Sequence, residues 1–405
     1  MVKNQFSTFT RPLLLLLLKI FYIYIYKHGK GVYSHMKIIC QKPDLLNSVN
    51  IVLKAVPAKT TMPILECLII EASSMGIKLI SNDMEIGIET IVKGSMIEEG
   101  MVALNAKVLS EIIRRLPENE VTITTDENYL TEIVCEKAKF SIVGRSGEEF
   151  PALPEIEKEN PLVLSQFSLK EIIRQTVFSI SDNESNKIMT GELFDIKNKE
   201  LRVISLDGHR ISIRKIFLKE EYEERKVIIP GKTLNEISKI LSGEASSLAN
   251  IYFTEKHALF EFDDTVVVTR LIEGEYYRID QMLSSDYETM VTINKKELQN
   301  CIERASLLIR ETDKKPIIIR IGEKNFEISI NTAIGSMREE IDIELVGKDI
   351  TIGFNPKFLM DALRVIDDES VDLYLINPKA PCFIRDKDQS YIYLILPVNI
   401  HAQAE

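Results

Sequence analysis

The sequence predicts an α+β protein made of three similar domains in a row, and three observations carry that expectation. A short frame recurs three times at constant spacing. Helical and strand-like periodicities alternate in the same order around each copy. At 405 residues the chain is also too long for one core, because single cores rarely grow past about 250–300 residues.

The frame reads Asn105-Ala106-Lys107-Val108-Leu109, Pro230-Gly231-Lys232-Thr233-Leu234 and Asn355-Pro356-Lys357-Phe358-Leu359, with 125 residues between successive lysines. Each copy follows an apolar run (101–104, 227–229, 350–353), continues with Leu or Ile at helical spacing, and ends near Pro117, Gly243 or Asp367-Asp368. Period-2 alternation follows, as at 121–125 and 371–376. The first half of each unit repeats more loosely. Helical stretches at 43–56, 168–180 and 294–309 lead into strand-rich sequence at 64–91, 191–213 and 317–343. There Leu79-Ile80-Ser81-Asn82-Asp83 and Val203-Ile204-Ser205-Leu206-Asp207 match at a spacing of 124. Each unit therefore reads helix, strands, helix, strands. Pro and acidic residues cluster at 151–161 and Ser284-Ser285-Asp286 marks a second break, which sets domains at 36–158, 159–286 and 287–402. So long a period excludes a solenoid, and each copy needs its own core.

Composition is ordinary for a globular chain, 45% hydrophobic and 27% charged. Five dispersed cysteines with no C-x-x-C pair read as reduced, buried thiols, not a disulfide framework or zinc site. Residues 1–35 are discordant. Arg11 precedes the leucine run 13–18, as in a signal peptide, but Lys19 interrupts the apolar stretch and a membrane-spanning helix needs about 20 apolar residues. No small-residue cleavage site follows, and Met36 opens sequence of a different character. Residues 1–35 are read as a mis-called start, with a membrane or export signal as the rival.

A net charge of −11 argues against a nucleic-acid binder until its distribution is considered. Six helical segments (43–59, 105–116, 168–187, 231–243, 294–315, 355–366) hold eighteen Lys and Arg against eleven Asp and Glu. Basic helices inside an acidic shell can focus positive potential along a channel. Solvated amphipathic helices would show the same count.

Ser205-Leu206-Asp207-Gly208-His209-Arg210-Ile211 is the sharpest local signal, with Asp-Gly suited to a tight turn that exposes His209 and Arg210 at its rim. This heptad resembles the D-G-H-R element of the bacterial sliding clamp, the beta subunit of DNA polymerase III. Thr61-Met62-Pro63-Ile64-Leu65 resembles the family's early T-L-P-I-L motif. Gly147-Glu148-Glu149-Phe150-Pro151-Ala152-Leu153 resembles the end of its first domain, and Leu394-Ile395-Leu396-Pro397-Val398 its C-terminus. The resemblance runs in order from Met36 to about Ile400.

It implies three clamp domains per chain and a head-to-tail homodimer ring, with outer β-sheets and inner helices around duplex DNA. The function implied is to tether the replicative DNA polymerase for processive replication in the cytoplasm, without a catalytic site or cofactor. The clamp loader and repair polymerases would dock through a peptide-binding groove. Carried over residue by residue, that groove comprises Met189, Leu206, Gly208, His209, Arg210, Ile211, Tyr277, Met282, Leu394, Leu396, Pro397 and Val398. Such an apolar site with Met and Leu walls suits an extended peptide with Leu or Phe anchors and a Gln. Lys59, Lys107, Lys187 and Lys232 are implied to face DNA, and Phe140, Leu307 and Leu308 to form the dimer seam. Two departures stand out: Tyr277 replaces the proline common in the family, and Asn399 with the tail 401–405 replaces a basic ending.

Other motifs fail on their own terms. Gly231-Lys232-Thr233 would need a glycine where Lys226 stands to be a phosphate loop. Asp207 with His209 has no further histidine at ligand spacing, and there is no G-x-S-x-G element. The remaining alternative is a membrane-tethered or exported β-rich binding protein that takes residues 1–35 literally.

Overall fold

The computed structural model describes residues 35–283, 286–310, 315–323, 325–386 and 388–400. Residues 1–34 of the proposed leader and the tail 401–405 lie outside these residues. The chain forms two compact units, residues 1–153 and 154–405.

The first unit opens with strand β1 (Met36–Gln41) and helix α1 (Lys42–Val52). Strands β2 (Cys67–Ser73), β3 (Gly76–Asn82), β4 (Ile86–Val92), β5 (Gly94–Glu98) and β6 (Gly100–Asn105) follow. Helix α2 (Ala106–Arg115) then leads to β7 (Glu120–Thr125), β8 (Leu130–Cys135) and β9 (Ala138–Val143). The strands form two antiparallel runs, β5-β1-β7-β8-β9 and β4-β3-β2-β6. Helices α1 and α2 pack on each other and bury Leu45, Val49, Val52, Leu109 and Ile113 completely. Two of the family-like motifs meet here, since Ile64 and Leu65 share a cluster with Phe150.

The second unit holds two repeats. One has β10 (Leu162–Ser165), α3 (Gln166–Thr176), β11 (Gly191–Leu206), β12 (Arg210–Pro230), α4 (Gly231–Ile240), β13 (Leu248–Phe253), β14 (His257–Phe262) and β15 (Thr265–Arg270). The other has β16 (Thr289–Asn294), α5 (Lys295–Ser306), β17 (Ile317–Ile321), β18 (Asn325–Thr332), β19 (Gly335–Gly347) and β20 (Ile350–Phe354). It ends with α6 (Pro356–Val365), β21 (Ser370–Leu375), β22 (Cys382–Arg385) and β23 (Tyr391–Ile395). Strands β10-β13-β14-β15 form one run, and β11-β12-β23-β22-β21-β16-β19-β18-β17-β20 another. The second run crosses from the middle repeat to the last through β12 and β23, paired from Arg210↔Ile395 to Arg214↔Tyr391.

The recurring frame is a capped helix start. The Asn105 side chain accepts from Val108 N–H at 3.1 Å and Asn355 from Lys357 N–H at 3.0 Å, which satisfies donors the helix leaves open. Pro230 holds the same place in the middle copy without a side-chain cap. Gly231 is there for packing: a Cβ would lie 2.3 Å from Ile180 Cδ1.

Three local expectations need correction. Each repeat starts with a strand that the periodicity reading left out. The middle repeat spans its strand-rich half with two long strands, which run on past 213 to Pro230, with the register shifting at Ile196/Asn198 and Asn198/Glu200. Several helices are also shorter than the pattern suggested. The 168–187 segment ends its α-helix at Thr176, whose hydroxyl donates back to Ile172 O at 2.7 Å, a bond that competes with helix propagation. Lys187 therefore sits in a separate 3₁₀ turn, Lys187–Thr190.

Candidate functional site

The Asp207 turn joins β11 to β12. Asp207 Oδ1 accepts from the N–H groups of His209 (2.9 Å) and Arg210 (3.2 Å), which closes the turn through a side chain. Gly208 takes φ +88°, a left-handed value that glycine adopts without strain.

This turn sits at one end of an apolar floor. Leu206, Ile211, Leu394 and Phe383 stand in register across β11, β12, β23 and β22. They belong to one cluster with Ile204, Ile213 and Ile279, and Met189 packs against it half-buried. The segments bordering the floor carry exposed apolar side chains: Leu396, two residues past Leu394, is 40% exposed, and Tyr277 and Met282, on either side of Ile279, are 40% and 55% exposed. Apolar side chains left in water around a buried apolar floor are what a docking groove requires. The segment bearing Ile279 and Met282 is tied down at two points. Arg202 Nη1 donates to Asp280 Oδ1 at 2.7 Å, and this bond holds the Asp280 carboxyl below the usual carboxylate range. Tyr276 OH donates to Ile204 O at 3.2 Å, and burial pushes its phenol up.

His209 is exposed, and its ring stacks on Phe358 of α6 at 6.0 Å and 24°. Its carbonyl accepts from Leu396 N–H at 2.9 Å. Arg210 departs from expectation. It is 6% exposed and so lies beneath the rim. Its Nε donates to Asp207 Oδ2 (3.0 Å), Nη1 to Asp361 Oδ2 (2.6 Å) and Nη2 to Phe178 O (2.6 Å). Its guanidinium also lies 4.4 Å from the Phe358 ring centroid and 5.4 Å from that of Phe178. An arginine aligned with the preceding strand alternates inward when the turn closes, and three acceptors compensate its burial. Pro397 and Val398 are half-buried and lie outside the apolar cluster. Val398 N–H donates to Gly353 O at 2.8 Å, so the chain there follows β20.

Sequence reasoning missed Phe358, Asp361 and Phe383. Phe358 was in view only as a member of the third repeat frame, Asp361 only within the helical segment 355–366, and Phe383 belongs to no motif. On the face of β11 opposite Leu193, Glu192 is wholly buried, with Thr176 the one polar side chain that counters the burial of its carboxyl. Desolvation by burial raises its carboxyl well above the usual range.

The four lysines are all exposed: Lys59 in the segment after α1, Lys107 and Lys232 at helix starts, and Lys187 in its 3₁₀ turn. Phe140 is 39% exposed on β9, which ends its run of strands, and Leu307 is 79% exposed. Leu308 differs from its neighbour, being half-buried against the core of the third repeat. All five cysteines are free and buried, and burial pushes Cys40, Cys301 and Cys382 up to about 12, which keeps them unreactive thiols. Among the described residues no group of three or more His, Cys, Asp and Glu is arranged to hold a metal ion.

Models for the N-terminal, central and C-terminal domains of the DNA polymerase III beta subunit match residues 36–154, 163–277 and 280–399. The beta sliding clamp of Bacillus subtilis is 35% identical over 381 residues, covering 90% of this chain and 100% of that protein. That of Staphylococcus epidermidis is 33% identical over 377 residues with the same coverage. Among solved structures, a DNA polymerase III beta subunit from Eubacterium rectale matches at TM-score 0.87 and 61% identity, and the Bacillus subtilis sliding clamp at 0.87 and 35%. Both matches cover 90% of this chain and 100% of the other. With all three of its domains matched in order, the chain belongs to the DNA polymerase III beta subunit family, the beta sliding clamps.

Proposed function

We propose that two copies of the chain close head to tail around duplex DNA, and that partner proteins dock an extended peptide across Leu206, Ile211 and Leu394. Family membership carries the coarser statement: the chain is a clamp subunit serving processive DNA synthesis, and catalysis belongs to the polymerase. The tethered-protein alternative has no support from these relatives. No helix among the described residues is long and apolar enough to cross a membrane, and of residues 1–35, on which that alternative rested, 1–34 lie outside them.

The observation that carries the groove is its exposed rim of Met282, Leu396 and Tyr277 bordering the buried floor. Methionine and leucine walls repack around different anchors, which suits a site shared by the replicative polymerase, the clamp loader and repair polymerases. For DNA, the six α-helices as observed hold thirteen basic against seven acidic residues, so the surplus survives their trimmed ends. Weak phosphate contacts by Lys59, Lys107, Lys187 and Lys232 fit a ring that must slide. For the seam, edge strand β9 with Phe140 offers unpaired backbone groups to a second copy, where it would meet Leu307. The cytoplasm is the compartment this work requires.

Solution mass and retention on nicked circular against linear DNA test the ring, with clamp loader supplied. A dimer held on circles and lost from linear DNA is expected. A monomer, or equal loss from both DNAs with loader present, overturns it. Charge reversal at Lys59 and Lys107 should weaken retention without changing the dimer mass.

A further inference from the structure

The Arg210 guanidinium is held by both repeats of the second unit. Asp207 and Phe178 come from the stretch matched by the central-domain model, and Asp361 from the stretch matched by the C-terminal one. Phe178 itself packs against the core of the last repeat, and Tyr393 OH donates to Phe358 O at 2.8 Å, so the arginine lies in a layer where the two repeats meet. Two neighbours of this ion cluster stack beside the segment that bears Leu396, whose N–H His209 O accepts at 2.9 Å. His209 precedes Arg210, and Phe358 lies one helical turn before Asp361 on the same face of α6. Their rings stack above the buried charges.

We propose that Arg210 and Asp361 form a clasp that positions the His209–Phe358 wall of the groove, and that Arg210 is not itself a peptide ligand. Three of its five N–H groups are engaged and its side chain is 6% exposed, so the guanidinium offers little surface to a docked peptide, and turning toward one would break its bonds to Asp207 and Asp361. Breaking a buried charged bond costs more than a rim contact returns. The clasp fixes the distance between a turn of one repeat and a helix of the other, and that distance decides whether the wall fits the peptide's polar end. This proposal rests on the groove reading.

The test uses the full chain and a labelled synthetic peptide with a Gln and two Leu or Phe anchors. Affinity is measured for wild type, Arg210→Lys, Asp361→Asn and the double variant, with the thermal midpoint of each. A clasp predicts a loss of about tenfold for each single variant and no further loss in the double, as for groups acting in one network. If Arg210→Lys loses affinity while Asp361→Asn binds like wild type, Arg210 is a direct ligand and the clasp is overturned. A second reading needs no peptide: in protein labelled with ¹³C at histidine, the His209 ring signal should shift in both single variants, as the Phe358 ring moves away from it. An unmoved signal overturns the clasp even if wild type binds no peptide, an outcome that would separately remove the groove. If Asp361→Asn fails to fold, Asp361→Glu, which keeps the charge but displaces it by one methylene, is read in the same two ways.

Discussion

The turn at Asp207 in the middle repeat and the turn at Asp83 in the first are the same piece of backbone serving different ends. Asp83 Oδ1 accepts from the N–H groups of Glu85 (2.9 Å) and Ile86 (2.8 Å), as Asp207 does from His209 and Arg210. The next residue is left-handed in both, at φ 75° for Met84 and 88° for Gly208. Two positions before each aspartate a serine hydroxyl donates to a carbonyl at a helix end, Ser81 to Val52 O and Ser205 to Thr176 O. In the last repeat Thr332 stands 125 residues past Asp207, and its hydroxyl accepts from Ile334 N–H at 3.3 Å. The difference lies three residues past the aspartate, where Ile86 is 2% exposed in its own repeat's core and Arg210 reaches into the next repeat. In D-G-H-R, then, Asp and Gly close the turn, while Arg210 bonds into the next repeat and His209 stacks on that repeat's helix.

Exchanging the two residues should break the comparison most severely. Ile86→Arg places a guanidinium where the first repeat has no acceptor network for it, and should cost more than about 4 kcal/mol. Denaturant melts would show that unit unfolding first. Arg210→Ile leaves Asp361 only the longer pairing with Arg364 at 3.9 Å and should cost about 3 kcal/mol. Amide exchange at the turn itself should change little, because Asp207 keeps its bonds to the main chain. A cost below about 0.5 kcal/mol, the range of surface substitutions, would show that the buried cluster holds nothing in place.

Glu192 sharpens the same comparison. Its equivalents at repeat spacing are Leu68 and Ile317, both fully buried, and all three pair with the matching residue of the partner strand: Leu104, Ile229 and Phe354. Glu192→Leu restores what the other repeats have and should stabilise the middle repeat by about 2 kcal/mol. The pH dependence follows from the raised carboxyl. Below about pH 4.3, the unfolded value for Glu, both states hold the proton and the repeat has its full stability. As pH rises toward the folded value, the unfolded chain releases the proton and the folded one does not, so stability falls. Glu192→Leu should abolish that decline in melts taken across this window. An unchanged slope would mean another group causes it.

The repeat and the three-domain order leave a periodic trace in the sequence, a lysine every 125 residues, whereas Leu206, Ile211 and Leu394 were named only through the family resemblance, and strand pairing brings them into register. What escaped it depends on two distant segments meeting. Arg210 was placed at the rim because nothing near it in sequence marks Asp361, 151 residues away, as its partner. Phe358 hid inside a repeat frame whose other copies have Val108 and Thr233 there. Lys187 was assigned to a helix because hydropathy does not record a hydroxyl back-bond at Thr176.

The smallest test concerns the residue after each aspartate. A Cβ on Gly208 meets nothing within 4 Å, so Gly208→Ala adds backbone strain alone, about 1 kcal/mol at its positive φ. Met84→Gly relieves the same strain in the first repeat but adds chain entropy, leaving a gain of about 0.5 kcal/mol. Opposite signs of these sizes in thermal melts would confirm that both copies demand the same left-handed residue and that only one supplies glycine. Peptide titration of Gly208→Ala then separates two uses of that glycine. If affinity holds, the glycine serves the turn. If affinity falls well beyond the stability loss, the open space above Gly208 is where the docked peptide's backbone lies, and the second half of the turn owes its sequence to the ligand as much as to the fold.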